Sequence, residues 1–292
     1  MLNKPSSLKP ILFACLGSAL IGSSAIFVRI SELGPVTTGF YRMLFALPLL
    51  ALWMRWEQKE GMLQNLFPTK GIIGLILAGA FFALDLALWN WSIDHTTIVN
   101  STLFNNTAAF FVPLIMWVFF QEKQSLRFIL AAITGFIGCV CLVSQSFSIS
   151  FMTILGDVVA LGSGIMVALY LIAIHRIREN VSTGFLMFWT GAFALIFLFF
   201  LSYIFRESFW PFTMKDTVSI FGQAILVHVA GQGLLTYSLG KLPATYTALI
   251  LFLAPVTGAV LGWIIYAEAL SFIKILGMVL IMASIIAVRK RP

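Results

Sequence analysis

The stretch WVFFQEKQS, Trp117–Ser125, returns as WIIYAEALS, Trp263–Ser271, with the tryptophan, the glutamate and the final serine displaced by 146 residues. Two further tripeptides return with a displacement of 145 residues: Leu16–Ser18 at Leu161–Ser163, and Thr38–Phe40 at Thr183–Phe185. Because all matches keep one order and nearly one displacement, the two halves of the chain are copies of each other. We predict a first repeat over residues 1–147 and a second over residues 148–292.

The composition places the chain in a membrane. Of its 292 residues, 60% are hydrophobic and 10% are charged, which is too apolar for a soluble domain of this size. The net charge of +7 is spread thinly among apolar runs and forms no basic stripe, so it indicates no nucleic-acid partner. The three cysteines lie in apolar runs without metal-ligand spacing, so neither a metal site nor a disulfide is predicted.

Ten apolar runs are long enough to cross a bilayer, which takes about 20 helical residues. Since an odd number of runs falls in each repeat, the second repeat is predicted to lie upside down relative to the first. The first run pairs with the sixth, so it is expected to be retained and not cleaved as a signal peptide. The predicted runs are 10–30, 35–54, 71–92, 96–120, 126–143, 153–174, 183–204, 217–239, 244–266 and 271–288.

The loop charges predict the orientation. Thirteen lysines and arginines fall on the side of the amino terminus, four fall on the other side, and Arg42 lies inside the second run. Because Lys and Arg favour cytoplasmic loops, we predict that both termini are cytoplasmic. The fold class is therefore all-α integral membrane, with ten transmembrane helices as two inverted five-helix repeats around a central cavity.

The repeated Glu-x-x-Ser, at Glu122–Ser125 and Glu268–Ser271, has a structural interpretation. The serine is expected to cap the last helix of each half, and the acid to end the preceding span at the membrane surface. A direct role in transport is the less favoured interpretation.

The stretches 88–122 and 242–271 resemble the EamA-type permeases of the drug/metabolite transporter superfamily. The resemblance covers nearly the whole chain and implies a transporter whose central cavity opens alternately to each side. One departure concerns proline. The family's proline in the fourth span would match Ala109, whereas this chain has Pro113 one turn later, which puts the bend of that span in doubt; Pro255 keeps the expected place in the ninth.

Polar residues present in only one repeat are candidates for the substrate site, because the shared scaffold does not require them. Charged residues within a membrane are rare and are usually paired or functional. Four such residues stand opposite a residue of different character: Arg42 matches Met187, Asp85 matches Gly231, His228 matches Phe82, and Gln232 matches Leu86.

Three interpretations of Asp85 stay open at this point. Asp85 and Arg42 both lie about 10 Å from the periplasmic end of their spans, so they could form a buried salt bridge. Alternatively, Asp85 lines the cavity and binds a cationic or amino group or carries a proton, with Trp89 on the same helix face as an aromatic wall. A third interpretation pairs Asp85 with a polar neighbour such as Asn100 or Asn106.

Further candidates are weaker. His228 and Gln232 share a face, but an intramembrane histidine more often joins helices by a hydrogen bond. Asn105 and Asn106 point about 100° apart on an ideal helix, and Asn106 is favoured for the cavity. Tyr170 is placed farther from a span end, with a lipid-facing position left open. The candidate substrate-binding residues are Asp85, Trp89, Arg42, Asn106, His228, Gln232 and Tyr41.

The predicted function is an inner-membrane permease that exports an amino acid or related amine. The alternative is proton-coupled efflux of cationic compounds, with protons as the coupling ion. The three histidines are scattered and no Walker loop is present, so neither an enzyme nor ATP drive is indicated, and no cofactor is predicted. The expected partners are a small-molecule substrate and the lipid bilayer, and the chain is compatible with a monomer or a homodimer.

Overall fold

The computed structural model describes residues 8–59, 69–143, 151–178, 181–210, 213–267 and 269–288, and the secondary structure in those ranges is helical. The predicted repeat boundary at 147 and 148, Glu268 and the charged residues Lys4, Arg289, Lys290 and Arg291 lie outside them. The helices are α1 (Leu8–Gly22), α2 (Ser24–Ile30), α3 (Pro35–Lys59), α4 (Thr69–His95), α5 (Ile98–Asn105), α6 (Ala108–Phe120), α7 (Leu126–Val143), α8 (Phe151–Ile177), α9 (Thr183–Ile204), α10 (Met214–Gly222), the π-helix π1 (Gln223–Gln232), α11 (Gly233–Leu239), α12 (Ala244–Ile250), α13 (Leu253–Tyr266) and α14 (Phe272–Val288).

All ten predicted apolar runs fall on helices. In the described ranges, eight helical segments are long and apolar enough to cross a membrane. Two apolar helices, Leu126–Leu142 and Phe272–Val288, are shorter. At 1.5 Å per residue they measure about 25 Å, slightly less than a hydrocarbon core of about 30 Å, so their crossing of the bilayer stays a prediction. Many large apolar side chains on the outside of the bundle are exposed, as a lipid-facing surface requires.

The helices of the two halves pack mainly against each other. The helix α4 lies along α8, α3 lies along α9, and α1 lies against π1, α11 and α13. These contacts bury a continuous apolar core that includes Met43, Phe82, Leu171 and Leu186. Near the chain end, α7 and α14 pack through Gly138 and Gly277. The central site is therefore enclosed by elements from both halves.

The fourth and ninth spans are interrupted at equivalent positions. The helix α5 ends at Asn105 and α6 begins at Ala108, while α12 ends at Ile250 and α13 begins at Leu253. In the first interruption, the Asn106 side-chain amide donates to the Thr102 carbonyl at 2.7 Å, and the Thr107 hydroxyl donates to the Phe104 carbonyl. Side-chain hydrogen bonds of this kind compete with the helical ladder and favour turns.

The fourth span is therefore interrupted even without the proline that the family has there. The span bends where the ninth span bends, although no proline occupies position 109. Pro113 lies inside α6, past the bend, and Pro255 lies in the first turn of α13, where its missing N–H is tolerated. In the first half, the hydrogen bonds of Asn106 and Thr107 therefore accompany an interruption for which the family pattern has a proline.

The ends of these spans confirm the structural interpretation of the two serines. The Ser125 hydroxyl accepts from the Phe128 amide at 3.2 Å, and the Ser271 hydroxyl accepts from the Lys274 amide at 3.3 Å. Each serine therefore caps the helix that follows it.

Two elements depart from the repeat. The first span breaks at Ser23 between α1 and α2, whereas the equivalent α8 runs unbroken through 27 residues. The eighth span contains the ten-residue π-helix π1, whereas the equivalent α4 is a regular α-helix. Because π-helices are rare and occur frequently at functional sites, π1 is a candidate functional segment.

Candidate functional site

A cavity lies between the halves and is lined by residues of α1 to α6, α8, π1, α11 and α13, together with Asn106 and Leu251 at the two span interruptions. The empty space inside it measures about 820 Å³ when the open mouth is included. Most of the lining is apolar. Its polar or aromatic members are Ser24, Arg42, Phe82, Asp85, Trp89, Thr102, Asn105, Asn106, Tyr170 and Gln232.

Asp85 is held by two neutral donors at one oxygen. The Ser163 hydroxyl on α8 donates to Asp85 Oδ1 at 2.7 Å, and the Asn105 amide at the end of α5 donates to the same oxygen at 2.9 Å. Asn105 also donates to the Ser163 hydroxyl. These bonds fix the direction of the carboxylate and leave Oδ2 without a hydrogen-bond partner among the described residues.

Arg42 reaches the same cavity from α3. Its side chain is only 4% exposed, yet its guanidinium makes no hydrogen bond to any residue in the described part of the chain. The guanidinium carbon lies 5.8 Å from the centre of the Phe82 ring. A buried guanidinium is costly without an anionic partner, so the arrangement suits a ligand that brings one.

The structure does not contain the salt bridge that the sequence left open. Among the described residues, no ion pair within 4.0 Å joins Arg42 to Asp85. The two residues were expected to meet because their depths along the spans are similar. Both side chains line the one cavity, but their charged groups are farther apart than ion-pair distance.

Asn106 lines the cavity as predicted, and the structure adds Asn105, with a different partner for each. Asn105 bonds Asp85, whereas the Asn106 amide caps its own helix end at Thr102. Both residues line the cavity. The expectation that only one of them could do so rested on a continuous helix, and α5 ends between them. Asn100, the other partner considered for Asp85, donates instead to Asp157 at 3.4 Å.

Aromatic side chains supply the rest of the polar lining. Trp89 lines the cavity as predicted, and its indole nitrogen is buried without a hydrogen-bond partner in the described ranges. The Gln232 amide donates to the Tyr170 hydroxyl at 3.2 Å, so both side chains line the cavity as a pair. The sequence left Tyr170 open to lipid, but it is 3% exposed and packs against Phe82.

Two predicted site residues lie elsewhere. Tyr41 donates its hydroxyl to the Phe209 carbonyl at 3.0 Å, in the connection after α9, and does not line the cavity. His228 is 2% exposed and does not line the cavity. Its imidazole packs on the Phe82 ring, with 5.3 Å between the ring centres. Neither of its ring nitrogens has a hydrogen-bond partner in the part of the chain that the structure describes. Leaving such a group unsatisfied costs about 1–3 kcal/mol.

The residues missed from the sequence are Ser163, Asn105 and Tyr170. Ser163 recurs in both repeats as Ser18, so asymmetry did not select it. Asn105 and Tyr170 stand opposite Leu251 and Ala25, so the difference between the repeats is the sequence signal that identifies both.

The chemistry of the cavity is that of binding. One carboxylate, one guanidinium, neutral amides and aromatic rings share an apolar enclosure, and no group of three or more potential metal ligands occurs among the described residues. A central cavity between two sets of repeated helices, with a few oriented polar groups, defines a membrane transporter for small molecules.

The chain belongs to the EamA-like transporter family, which it matches over residues 8–144 and again over residues 154–289. Family membership makes it a multi-pass membrane transporter and not an enzyme.

Individual proteins agree with this class. The chain is 25% identical over 292 residues to an uncharacterized transporter of Archaeoglobus fulgidus, covering 95% of this chain and 96% of that one. It is 24% identical over 221 residues to the pseudopaline exporter of Pseudomonas aeruginosa, covering 76% of each. A protein crystal structure matches it with a TM-score of 0.78 at 15% identity, covering 97% of this chain and 96% of that one, which shows a shared fold.

Proposed function

We propose that this transporter exports a zwitterionic metabolite, an amino acid or related amine, across the inner membrane, with both of its termini in the cytoplasm. The observation that carries the proposal is one cavity lined by Asp85 and Arg42, in which Asp85 Oδ2 and the guanidinium make no hydrogen bond and no ion pair within 4.0 Å to a described residue. Opposite charges held apart in one apolar enclosure match a molecule with an amino and a carboxylate group.

Each end of the substrate has a partner in this scheme. The amino group binds Asp85, which Ser163 and Asn105 orient from their own elements. The carboxylate binds Arg42, which can hold it through two parallel hydrogen bonds. Export is supported by the relative from Pseudomonas aeruginosa, whose name states that it is an exporter.

The experiment is counterflow in proteoliposomes with a panel of labelled amino acids, comparing wild type with Asp85→Asn. Asparagine keeps an oxygen to accept from Ser163 and Asn105, so the fold is retained while the charge is removed. Losing a charged contact in a closed site costs about 2–5 kcal/mol, so counterflow is expected to fall at least ~30-fold.

A matched control is available in Asp157→Asn. Asp157 also accepts from a hydroxyl and an amide, those of Thr96 at 2.7 Å and Asn100 at 3.4 Å, but it does not line the cavity. Counterflow by this variant is expected to stay within about twofold of wild type, because no ligand contact is lost. If Asp85→Asn transports the panel at the wild-type rate, or no amino acid is transported by either protein, the proposal is wrong.

Proton-coupled efflux of cationic compounds remains the second candidate. It is favoured by the neutral hydrogen-bond donors of Asp85, because a carboxylate held by a hydroxyl and an amide can accept a proton when its cargo leaves. This mechanism predicts that an imposed pH gradient drives uptake of a permanently cationic dye into inverted vesicles. Zwitterion transport predicts amino acid counterflow without any gradient.

A further inference from the structure

The histidine in π1 is buried without a function in the structure described above. Both His228 ring nitrogens lack a hydrogen-bond partner among the described residues, and the side chain is 2% exposed. Its equivalent in the first half is Phe82, an apolar side chain on a regular α-helix. An apolar side chain would fill the position without an unsatisfied polar group, so packing alone does not account for an imidazole.

A single aromatic ring separates His228 from the cavity. The Phe82 ring lies 5.3 Å from the imidazole on one side, and it lines the cavity together with Arg42 on the other. On α9, Gly191 lies beside the imidazole, since a Cβ built there would stand 3.9 Å from His228 Nε2, an ordinary van der Waals distance. Bringing His228 into the cavity therefore requires a rotation of π1 and a displacement of the Phe82 ring.

The helix type of this segment provides that rotation. An α-helix has about 3.6 residues per turn and a π-helix about 4.4, so four residues span about 400° in the first and about 330° in the second. If π1 rewinds as an α-helix on a fixed α11, His228 turns by about 70° relative to Gln232. Gln232 already lines the cavity. By these angles, His228 points about 30° to one side of Gln232 in the π-helix and about 40° to the other side of Gln232 in an α-helix.

We propose that His228 is a second contact for the carboxylate end of the substrate, presented to the cavity when π1 rewinds during the transport cycle. The proposal rests on the proposed transport of a zwitterion. In the state described here, Arg42 is the group available to the carboxylate. In the rewound state, an imidazole N–H of His228 binds the carboxylate together with Arg42 or in its place. This hydrogen bond satisfies the histidine, and because it needs the substrate, only bound substrate stabilises the rewound state.

Chemical modification of the histidines tests this directly. The chain contains three histidines, and diethyl pyrocarbonate acylates an accessible imidazole, which peptide mass spectrometry detects. His95 and His175 are partly exposed and serve as internal references, with Nδ1 of each bonded to a backbone carbonyl. The measurement is made on the full-length protein in liposomes, with and without a mixture of the proteinogenic amino acids.

We expect His228 to react within fivefold of the reference rate in the absence of amino acids, because the two states interconvert. The mixture is expected to slow its modification at least fivefold without changing His95 or His175. The Asp85→Asn protein should show the reaction but no protection. An unreactive His228 overturns the proposal, and so does a reactive one that remains unprotected although the mixture raises the melting temperature of the wild-type protein.

Failure of the proposed function has a different signature. If the mixture neither raises the melting temperature nor supports counterflow, the zwitterion assignment fails, and the role of His228 as a substrate contact fails with it. Failure of the histidine proposal alone leaves both of those readouts intact.

Two substitutions give an independent readout. His228→Phe copies the first half and is expected to leave the apparent amino acid affinity within twofold while lowering counterflow about tenfold, because only the rewound state loses a contact. His228→Gln retains an N–H donor and should keep at least a third of the wild-type rate. Equal rates for His228→Phe and wild type contradict the proposal; if the phenylalanine variant does not fold, the glutamine variant and the labelling decide.

Discussion

The contact between α4 and α8 is equivalent to the contact between π1 and α1, but the two pairs of helices are held together by different interactions. In the first, Asp85, Ser163 and Asn105 form a hydrogen-bonded cluster facing the cavity. The equivalent residues in the second are Gly231, Ser18 and Leu251. There the backbones approach so closely that a Cβ on Gly17 would stand 2.7 Å from the Gly231 carbonyl oxygen, and the Ser18 hydroxyl is buried without a described partner.

The difference teaches which of the two arrangements the fold needs. Small residues that allow close backbone contact are a common means of joining helices in membranes, and the α1 contact relies on it. The α8 contact instead accommodates a charged side chain with two dedicated donors, at the cost of burying that charge. The glycine is therefore the structural solution, and the carboxylate is the feature that the fold does not require and that the proposed transport uses.

The largest effect is expected from exchanging the two residues, in the double variant Asp85→Gly and Gly231→Asp. A Cβ on residue 231 would stand 3.1 Å from Leu20 Cβ and 3.2 Å from the Gly17 carbonyl oxygen. Of the two donors to Asp85, only Ser163 has a polar counterpart there, Ser18, so the new carboxylate would lack its second donor and any counter-charge. A buried unpaired charge costs about 3–5 kcal/mol, so size-exclusion chromatography of the detergent-purified protein should show little folded material. Asp85→Gly alone is the control and should fold but not transport. A folded, transporting double variant would show that the two contacts are interchangeable.

The next effect separates the equivalent glycines of α1 and α8. Gly17→Ala forces a Cβ to within 2.7 Å of the Gly231 backbone oxygen, whereas a Cβ on Gly162 meets only Leu88 Cδ1 at 3.7 Å, an ordinary contact. Overpacking costs about 1–3 kcal/mol, so Gly17→Ala should lower the melting temperature by about 5 °C and Gly162→Ala by less than about 2 °C. Equal shifts in melting temperature would mean that α1 and α8 tolerate an added methyl group equally well.

A smaller effect separates the equivalent serines. Ser163→Ala removes a 2.7 Å bond to Asp85, and hydrogen bonds to charged groups contribute about 1.5–3 kcal/mol, so we expect apparent substrate affinity to fall at least about tenfold. Ser18→Ala removes a hydroxyl without a described partner and should leave the affinity unchanged. Both values are obtained from ligand-dependent melting curves. A larger loss for Ser18→Ala would place the binding site in the other half.

The smallest effect concerns the hydroxyl of Tyr170, whose equivalent is Ala25. Tyr170→Phe removes the 3.2 Å bond from Gln232 but keeps the aromatic wall. A neutral hydrogen bond contributes about 0.5–1.5 kcal/mol, so the affinity is expected to fall about threefold. Tyr41→Phe serves as the control, because its hydroxyl bonds the Phe209 carbonyl outside the cavity, and its affinity should not change. An affinity loss in the control would return Tyr41 to the site.

Helix positions were predictable because the hydrocarbon core imposes one length and one composition on every span. The predicted runs coincide with helices, and Ser125 and Ser271 cap α7 and α14 as their spacing indicated. These features depend on local sequence and on the solvent, so no knowledge of the neighbouring helices is needed.

The details of the site were less predictable because helices do not remain ideal there. The choice of Asn106 over Asn105 assumed an unbroken helix, and the chain turns between α5 and α6. His228 was assigned to the face of Gln232 by α-helical spacing, and it lies in a π-helix. Both predictions assumed the regular twist of an α-helix, which local hydrogen bonds interrupt after α5 and which π1 does not have.

The sequence by itself determined that this protein is a repeated helical membrane transporter, and it singled out Asp85, because an acid in one repeat and a glycine in the other is visible in a linear alignment. Only the tertiary structure decided that Asp85 is held by Ser163 and Asn105 while no ion pair within 4.0 Å joins it to Arg42. The physical reason is that burial forces each polar group to find its partner across helices, and which helices face one another depends on how the two halves pack.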